Sequence, residues 1–281
     1  MAIRSQDQLI AGLTSGQKFT FSKNILGPTT PTQGDIYSAW NSTGSPALPA
    51  NPVAGTQVVP YSGLQGAQQF TNAPGGQVSY LGRLSFFCNV AGFLTVYDRL
   101  WSGSFNCNAL ATTTFANPFT ATGPSDTLRL AAGKGAELWL EFYGASSVGT
   151  GSITVTYTNQ AGNTGRTTVF TVPNVNNRAS AMVRIPLSTA AGIVDTGVRR
   201  VESVQVTAVA GAGANPITLV MANPIGDIGT GSDGTGQVFD GEATGLETIA
   251  DNAALAFMLS YGGATGGNKP YLNGSYKIVQ G

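Results

Sequence analysis

The chain has 281 residues, only 10% of them charged, with 14 basic against 14 acidic side chains and no histidine. Globular proteins usually carry about 25% charged residues, and nothing here supplies the clustered cations that nucleic acid or an anionic membrane demands. The missing histidine removes the commonest general base, metal ligand and near-neutral switch together, and two cysteines, Cys88 and Cys107, fall short of a zinc site.

In chain order, Ser5 is placed to cap a short helix over Gln6 to Thr14, closed by Gly16. The start lacks the basic residues and apolar core of a signal peptide. No apolar run approaches the roughly 20 residues of a membrane span. The expectation is a protein made in the cytoplasm, with neither membrane nor nucleic acid as partner. Residues 1–76 hold seven of the 14 prolines and only five charges, Arg4, Asp7, Lys18, Lys23 and Asp35. A free linker would normally be more charged, and this segment keeps Phe19, Phe21, Ile25, Tyr37, Trp40, Tyr61 and Phe70. It reads as a short helix followed by an extended arm over 17–76, lying on the chain's own body or on a neighbour. Ile25, Tyr37 and Trp40 are its interface anchors.

From about residue 77 strand signals follow one another: 78–89, 92–101, 137–143, 152–158, 166–172, 180–186, 201–209, 216–222, 254–261 and 275–280. The clearest is "SITVTYT", with Ser152, Thr154, Thr156 and Thr158 on one side and Ile153, Val155 and Tyr157 on the other. Helical periodicity is nearly absent; Leu246 to Leu259 is the one ambiguous stretch. Short strands without interleaved helices define an all-β fold, an antiparallel β-sandwich or jelly-roll-like body over 77–281.

A glycosidase wants two carboxylates about 5–9.5 Å apart. Glu137 and Glu141 share one face of "ELWLEFY", but a strand sets them roughly 13 Å apart. Trp139 and Tyr143 share that face, which reads as a subunit contact, since aromatics mark interface cores, ahead of a sugar platform. Gly229 to Gly234 matches G-x-G-x-x-G without the strand–helix context that dinucleotide binding needs. Asp227, Asp233, Asp240 and Glu242 lie in the same loop, 223–252, without calcium-loop spacing. Ser or Thr nucleophiles lack a base or a recognisable motif. Arg199 and Arg200 read as solvated or bridged across a contact. No catalytic, cofactor or metal site follows, and the chain reads as no enzyme. Cys88 and Cys107 read as buried thiols, with a disulfide left open.

Four stretches, "LTVYDRLW" (94–101), "ITVTYTNQAGNTGRTT" (153–168), "DTGVRRVESVQV" (195–206) and "YLNGSYKIVQG" (271–281), resemble tailed-bacteriophage virion structural proteins, and "GDIYSAWNSTGSPA" (34–47) fits the same pattern. The loop 223–252 matches least. The resemblance implies a head-associated decoration or cement protein. Its partners would be the major capsid protein and further copies of itself, as a trimer, on the capsid exterior. A tail, neck or receptor-binding virion protein is the second reading, and a carbohydrate-binding β-sandwich the third.

Overall fold

The computed structural model describes residues 3, 5–25, 32–119, 128–143, 150–173, 179–189, 194–209, 217–230, 236–241, 245–262 and 269–281. Helix α1 (Gln6–Ser15) starts at Ser5, whose hydroxyl accepts the Gln8 N–H, and ends at Gly16. Strands follow almost without interruption: β1 (Gln17–Asn24), β2 (Ile36–Ser38), β3 (Thr43–Ser45), β4 (Gln57–Val58), β5 (Ser79–Cys88), β6 (Gly92–Phe105), β7 (Thr112–Thr114), β8 (Glu137–Phe142) and β9 (Gly151–Asn159). Then come β10 (Arg166–Val172), β11 (Ala181–Ile185), β12 (Val198–Ala208), β13 (Ile217–Thr230), β14 (Gly236–Asp240), β15 (Glu247–Ile249), β16 (Leu255–Tyr261) and β17 (Tyr271–Gln280). The fold is all-β, antiparallel and sandwich-like, as the alternation predicts.

Contacts divide the chain into two compact units, interleaved in sequence: Met1–Pro49, Tyr61–Asp98 and Ile225–Gly281 form one, Ala50–Pro60 and Arg99–Pro224 the other. The boundary expected at 76/77 is therefore corrected. Proline density marked 1–76 as separate, yet pairing with distant strands ties most of it to 77–98 and the C-terminal third.

In the first unit the order is β14-β5-β17-β1-β3, with β15 also on β5. β1 pairs along its whole length with β17, Gln17 opposite Ile278 and Asn24 opposite Tyr271. Residues 17–24 are thus a strand, where an arm without regular structure was expected. Phe19 and Phe21 alternate with polar residues, and the partner that completes the ladder lies some 250 residues away. Beyond residue 31 the extended course holds, since β2, β3 and β4 are two or three residues long. A second layer forms from β2, β16 and residues 92–98 of β6. Phe21 meets Phe257 at 4.4 Å between ring centroids, and Phe257 meets Tyr276 at 6.3 Å, closing the core between the layers. α1 seals one end, where Leu9 packs with Tyr80 and Val279.

In the second unit the order β10-β9-β12-β7 makes one sheet. β8 pairs with β11 on one side and with residues 217–222 of β13 on the other. Ile153, Val155 and Tyr157 are fully buried, as are Leu138, Leu140 and Leu219. Trp101 meets Phe115 edge-on at 5.1 Å. Each deeply buried aliphatic side chain stabilises by about 1.5–3 kcal/mol.

Candidate functional site

The face of β8 that carries Glu137, Trp139, Glu141 and Tyr143 forms no open platform. Glu141 is fully buried and ion-paired with the equally buried Arg99 at 2.7 Å. Arg99 also donates to the Tyr143 hydroxyl at 3.5 Å. Glu137 pairs with Arg184 at 2.5 Å and accepts the Trp139 indole N–H at 3.0 Å. Trp139 keeps only 7% of its surface exposed. Its role as a contact for a neighbouring subunit is therefore corrected: Trp139 is buried within its own unit, and Arg99 from β6 draws Glu141 inward, because a buried charge needs a partner. Glu137 and Tyr143, at the two ends of the row, stay half-buried.

The same correction applies to the arm anchors. Ile25 and Tyr37 have no exposed surface and Trp40 only 3%. They anchor the segment to its own unit and offer nothing to a neighbour. Trp40 lies under Gly66, whose φ of +96° and ring contact exclude a side chain: a Cβ there would sit 2.7 Å from the indole. Tyr37 packs edge-on against Tyr261 at 5.4 Å.

The densest polar cluster lies in the second unit and was not anticipated. The Asp195 side chain, with no exposed surface, accepts the Tyr157 hydroxyl at 2.6 Å, the Asn159 amide at 2.7 Å and the Arg166 Nε–H at 2.9 Å. The Ser188 N–H donates to the Tyr157 oxygen at 2.8 Å. Burial works against the Asp195 carboxylate, but these hydrogen bonds and the Arg166 charge outweigh it and hold its pKa below the usual 3.8. Burial first, then the bond to Asp195, pushes the Tyr157 phenol up to about 12. Neither group is poised to move a proton near neutrality. The cluster pins β9, β10 and the approach to β12 together. Beside it lies a cleft of about 550 Å³ bordered by Glu137, Arg184, Pro186, Val194 and Asp195. The signal that could have found this cluster was scarcity: with 14 acidic residues in the chain, each one merits a search for its partner. Nearby, Arg200 lies 3.6 Å from Glu202 of its own strand, and both meet the Thr158 hydroxyl.

The outer face of the β10-β9-β12-β7 sheet is the surface that stands out. Register puts Thr167, Val169 and Thr171 of β10 beside Thr156, Thr154 and Ser152 of β9. Ser203 and Gln205 of β12 continue the rows, and Thr114 and Thr112 of β7 complete them. None of these ten residues is charged or buried, and Val169 is 69% exposed. The hydroxyl side of 152–158 is thus the outside of a wall, as its alternation predicts, except at Thr158, which is buried.

Both cysteines are free and buried, and burial pushes the Cys107 thiol up to about 12. Of the loop acids, Asp227 accepts the Thr95 hydroxyl at 2.5 Å, while Asp233 and Glu242 lie outside the described residues, as does most of the G-x-G-x-x-G match. Among the described residues no three metal-ligating side chains converge, and no helix is long and apolar enough to cross a membrane.

No family model and no curated protein matches the chain. Among solved structures, that of the infectious bursal disease virus Gx strain aligns at 10% identity over 94% of this chain and 79% of that one, with a TM-score of 0.16. A mutant VP2 protein of infectious bursal disease virus, from derived T=1 particles, aligns at 10% identity over 98% and 82%, with a TM-score of 0.14. Likeness at that level carries no argument about fold or function.

Proposed function

We propose that this chain is a structural component of a bacteriophage virion, a decoration or cement protein on the outside of the head. It acts there as a symmetric homo-oligomer, a trimer, against the major capsid protein, without enzymatic activity, metal or cofactor. The observation that carries the reading is an uncharged ten-residue patch on the outer face of the β10-β9-β12-β7 sheet, with Val169 standing out from rows of hydroxyls and the charges of Arg200 and Glu202 paired with each other at one end. Such a face has no field to repel another protein surface. Side chains of one or two rotatable bonds on a hydrogen-bonded sheet lose little entropy when covered. Closed symmetric assembly is the usual outcome of a self-complementary patch. The sequence resemblance over 34–206 and the C-terminal stretch supports the same class. A clamp that binds only the assembled shell stabilises it by mass action.

The test is electron microscopy of purified particles together with heat stability of heads made with and without the protein. The expected result is density on the head exterior and a lower disruption temperature without it. Density in the tail or neck, or heads equally robust without the protein, would refute the cement role.

A further inference from the structure

The first unit leaves a strand edge open. β3 pairs with β1 only at Ser22–Asn24, because the residue after Ser45 is Pro46, which has no N–H to extend a ladder. From Phe21 back to Gln17 the side of β1 away from β17 has no backbone partner among the described residues. In an antiparallel strand alternate residues turn both N–H and C=O to that side. The open edge is five residues long, roughly 17 Å at about 3.3 Å per residue. It borders a cleft of about 630 Å³, whose far wall is the segment 63–71 and whose end is Ser45, Pro46 and Ala47.

The wall opposite the edge is built of amides. Gln68 is 95% buried, with 5% of its surface exposed. Its Nε2 is shut from solvent and has no acceptor among the described residues. An unsatisfied buried donor is costly, so a structure that keeps one invites a ligand oxygen. Gln65 and Gln69 are exposed beside it. At the Gln17 end, the Gln17 side chain already shows how this wall takes an amide: its Nε2 donates to the Thr71 carbonyl at 2.8 Å and its Oε1 accepts the Thr71 N–H at 2.7 Å, as a paired strand would. Among the described residues no carboxylate lines the cleft and Lys18 is its one cation, which disfavours a metal ion or a polyanion.

We propose that this cleft receives an extended, uncharged peptide segment of another polypeptide, which adds to the open edge of β1 in the line of β3 and accepts a hydrogen bond from the Gln68 amide once that side chain turns its enclosed Nε2 toward the cleft. Main-chain pairing to β1 supplies the affinity and the amide wall fixes the register, the mode by which strands are added to exposed sheet edges. The proposal stands apart from the virion reading, since any partner with such a segment would satisfy it.

The test presents full-length protein with a displayed library of heptapeptides randomised over Ala, Gly, Ser, Thr, Val and Gln. Enriched peptides are then measured by titration and amide hydrogen exchange. The expected result is binding that slows exchange within 17–21 and weakens at least about tenfold in Gln68→Leu, the loss of one hydrogen bond to a buried donor. Ala47→Trp, at an exposed position, should block the cleft and abolish binding with the fold intact. The proposal is overturned if no peptide is enriched, or if binding is unaffected by both variants. It is likewise overturned if maltohexaose, a neutral polyhydroxyl probe, competes with the peptides and protects the 63–71 wall while the β1 amides stay exposed.

Discussion

Asp195→Ala tests whether the buried carboxylate holds the second unit together. Its three donors lie within 2.9 Å, and Arg166, at 15% side-chain exposure, is nearly as enclosed as the carboxylate itself. Removing one partner of a buried pair costs about 3–5 kcal/mol, because the remaining charge and dipoles stay desolvated. At roughly 2–4 °C per kcal/mol for a chain of this size, the unfolding midpoint should fall by roughly 6–20 °C. Calorimetry at pH 7 gives the shift, with circular dichroism to confirm that the variant retains its strands. The pH dependence sharpens the test. The folded carboxyl titrates below its ordinary 3.8, so its contribution is fully present above that value and is lost as pH falls through the lowered one. The gap between wild type and variant should be full at pH 7 and narrow progressively once pH falls below 3.8. A loss under about 1 kcal/mol, or a gap that does not change with pH, would refute the reasoning.

Gln68→Leu should raise the unfolding midpoint by a few degrees, since it removes a buried donor that has no acceptor; a lower midpoint would show that the amide is satisfied. Lys23, whose ammonium donates to the Ser42 and Pro46 carbonyls, is brought by burial from 10.5 down to about 8. Its folded pKa is depressed, so stability should rise with pH between about 8 and 10.5, and Lys23→Met should flatten that rise in denaturant titrations. Both thiols should resist an aromatic disulfide reagent at pH 8 in the native protein and react fully in denaturant, as burial of Cys88 and Cys107 requires. Val169→Asp should leave the unfolding midpoint within about 0.5 kcal/mol of wild type and weaken attachment to heads, measured by co-sedimentation. Unchanged attachment would remove this face from the contact.

How far the sequence spoke depended on the range of the interactions involved. Alternation is local, so the strand at 152–158 was legible down to which side chains are buried, Thr158 excepted, and Ser5 and Gly16 bounded the helix. Long-range pairing leaves no local mark. Nothing in "QKFTFSKN" says that its partner is "YLNGSYKIVQ", yet that pairing makes 17–24 a strand and moves the unit boundary away from residue 76. Charge partners fail for the same reason: Glu141 reads as part of a subunit-contact face beside Trp139 until β6 brings Arg99 against it. The aromatic anchors were half legible. Their burial followed from large apolar rings in a proline-rich segment, but their target did not, since Tyr261 and Gly66 compete for them within the chain itself.

These limits bear on how a charge-poor protein allots its charges. Asp195, Glu141, Asp98 and Lys23 are all buried, each engaged by groups of its own unit: Arg166, Arg99, the Ala254 N–H and the Ser42 and Pro46 carbonyls respectively. Such groups contribute less to net stability than well-packed apolar residues would, but leaving one unpaired is costly, so each restricts the chain to the arrangement that satisfies it. Ten residues of the outer sheet face are hydroxyls, amides and Val169, and its Thr158 end carries the paired Arg200 and Glu202. A fold built this way holds its strand register from within and meets its surroundings without a fixed field. A surface of that kind suits repeated protein contacts, where a single-sign patch would repel its own copies.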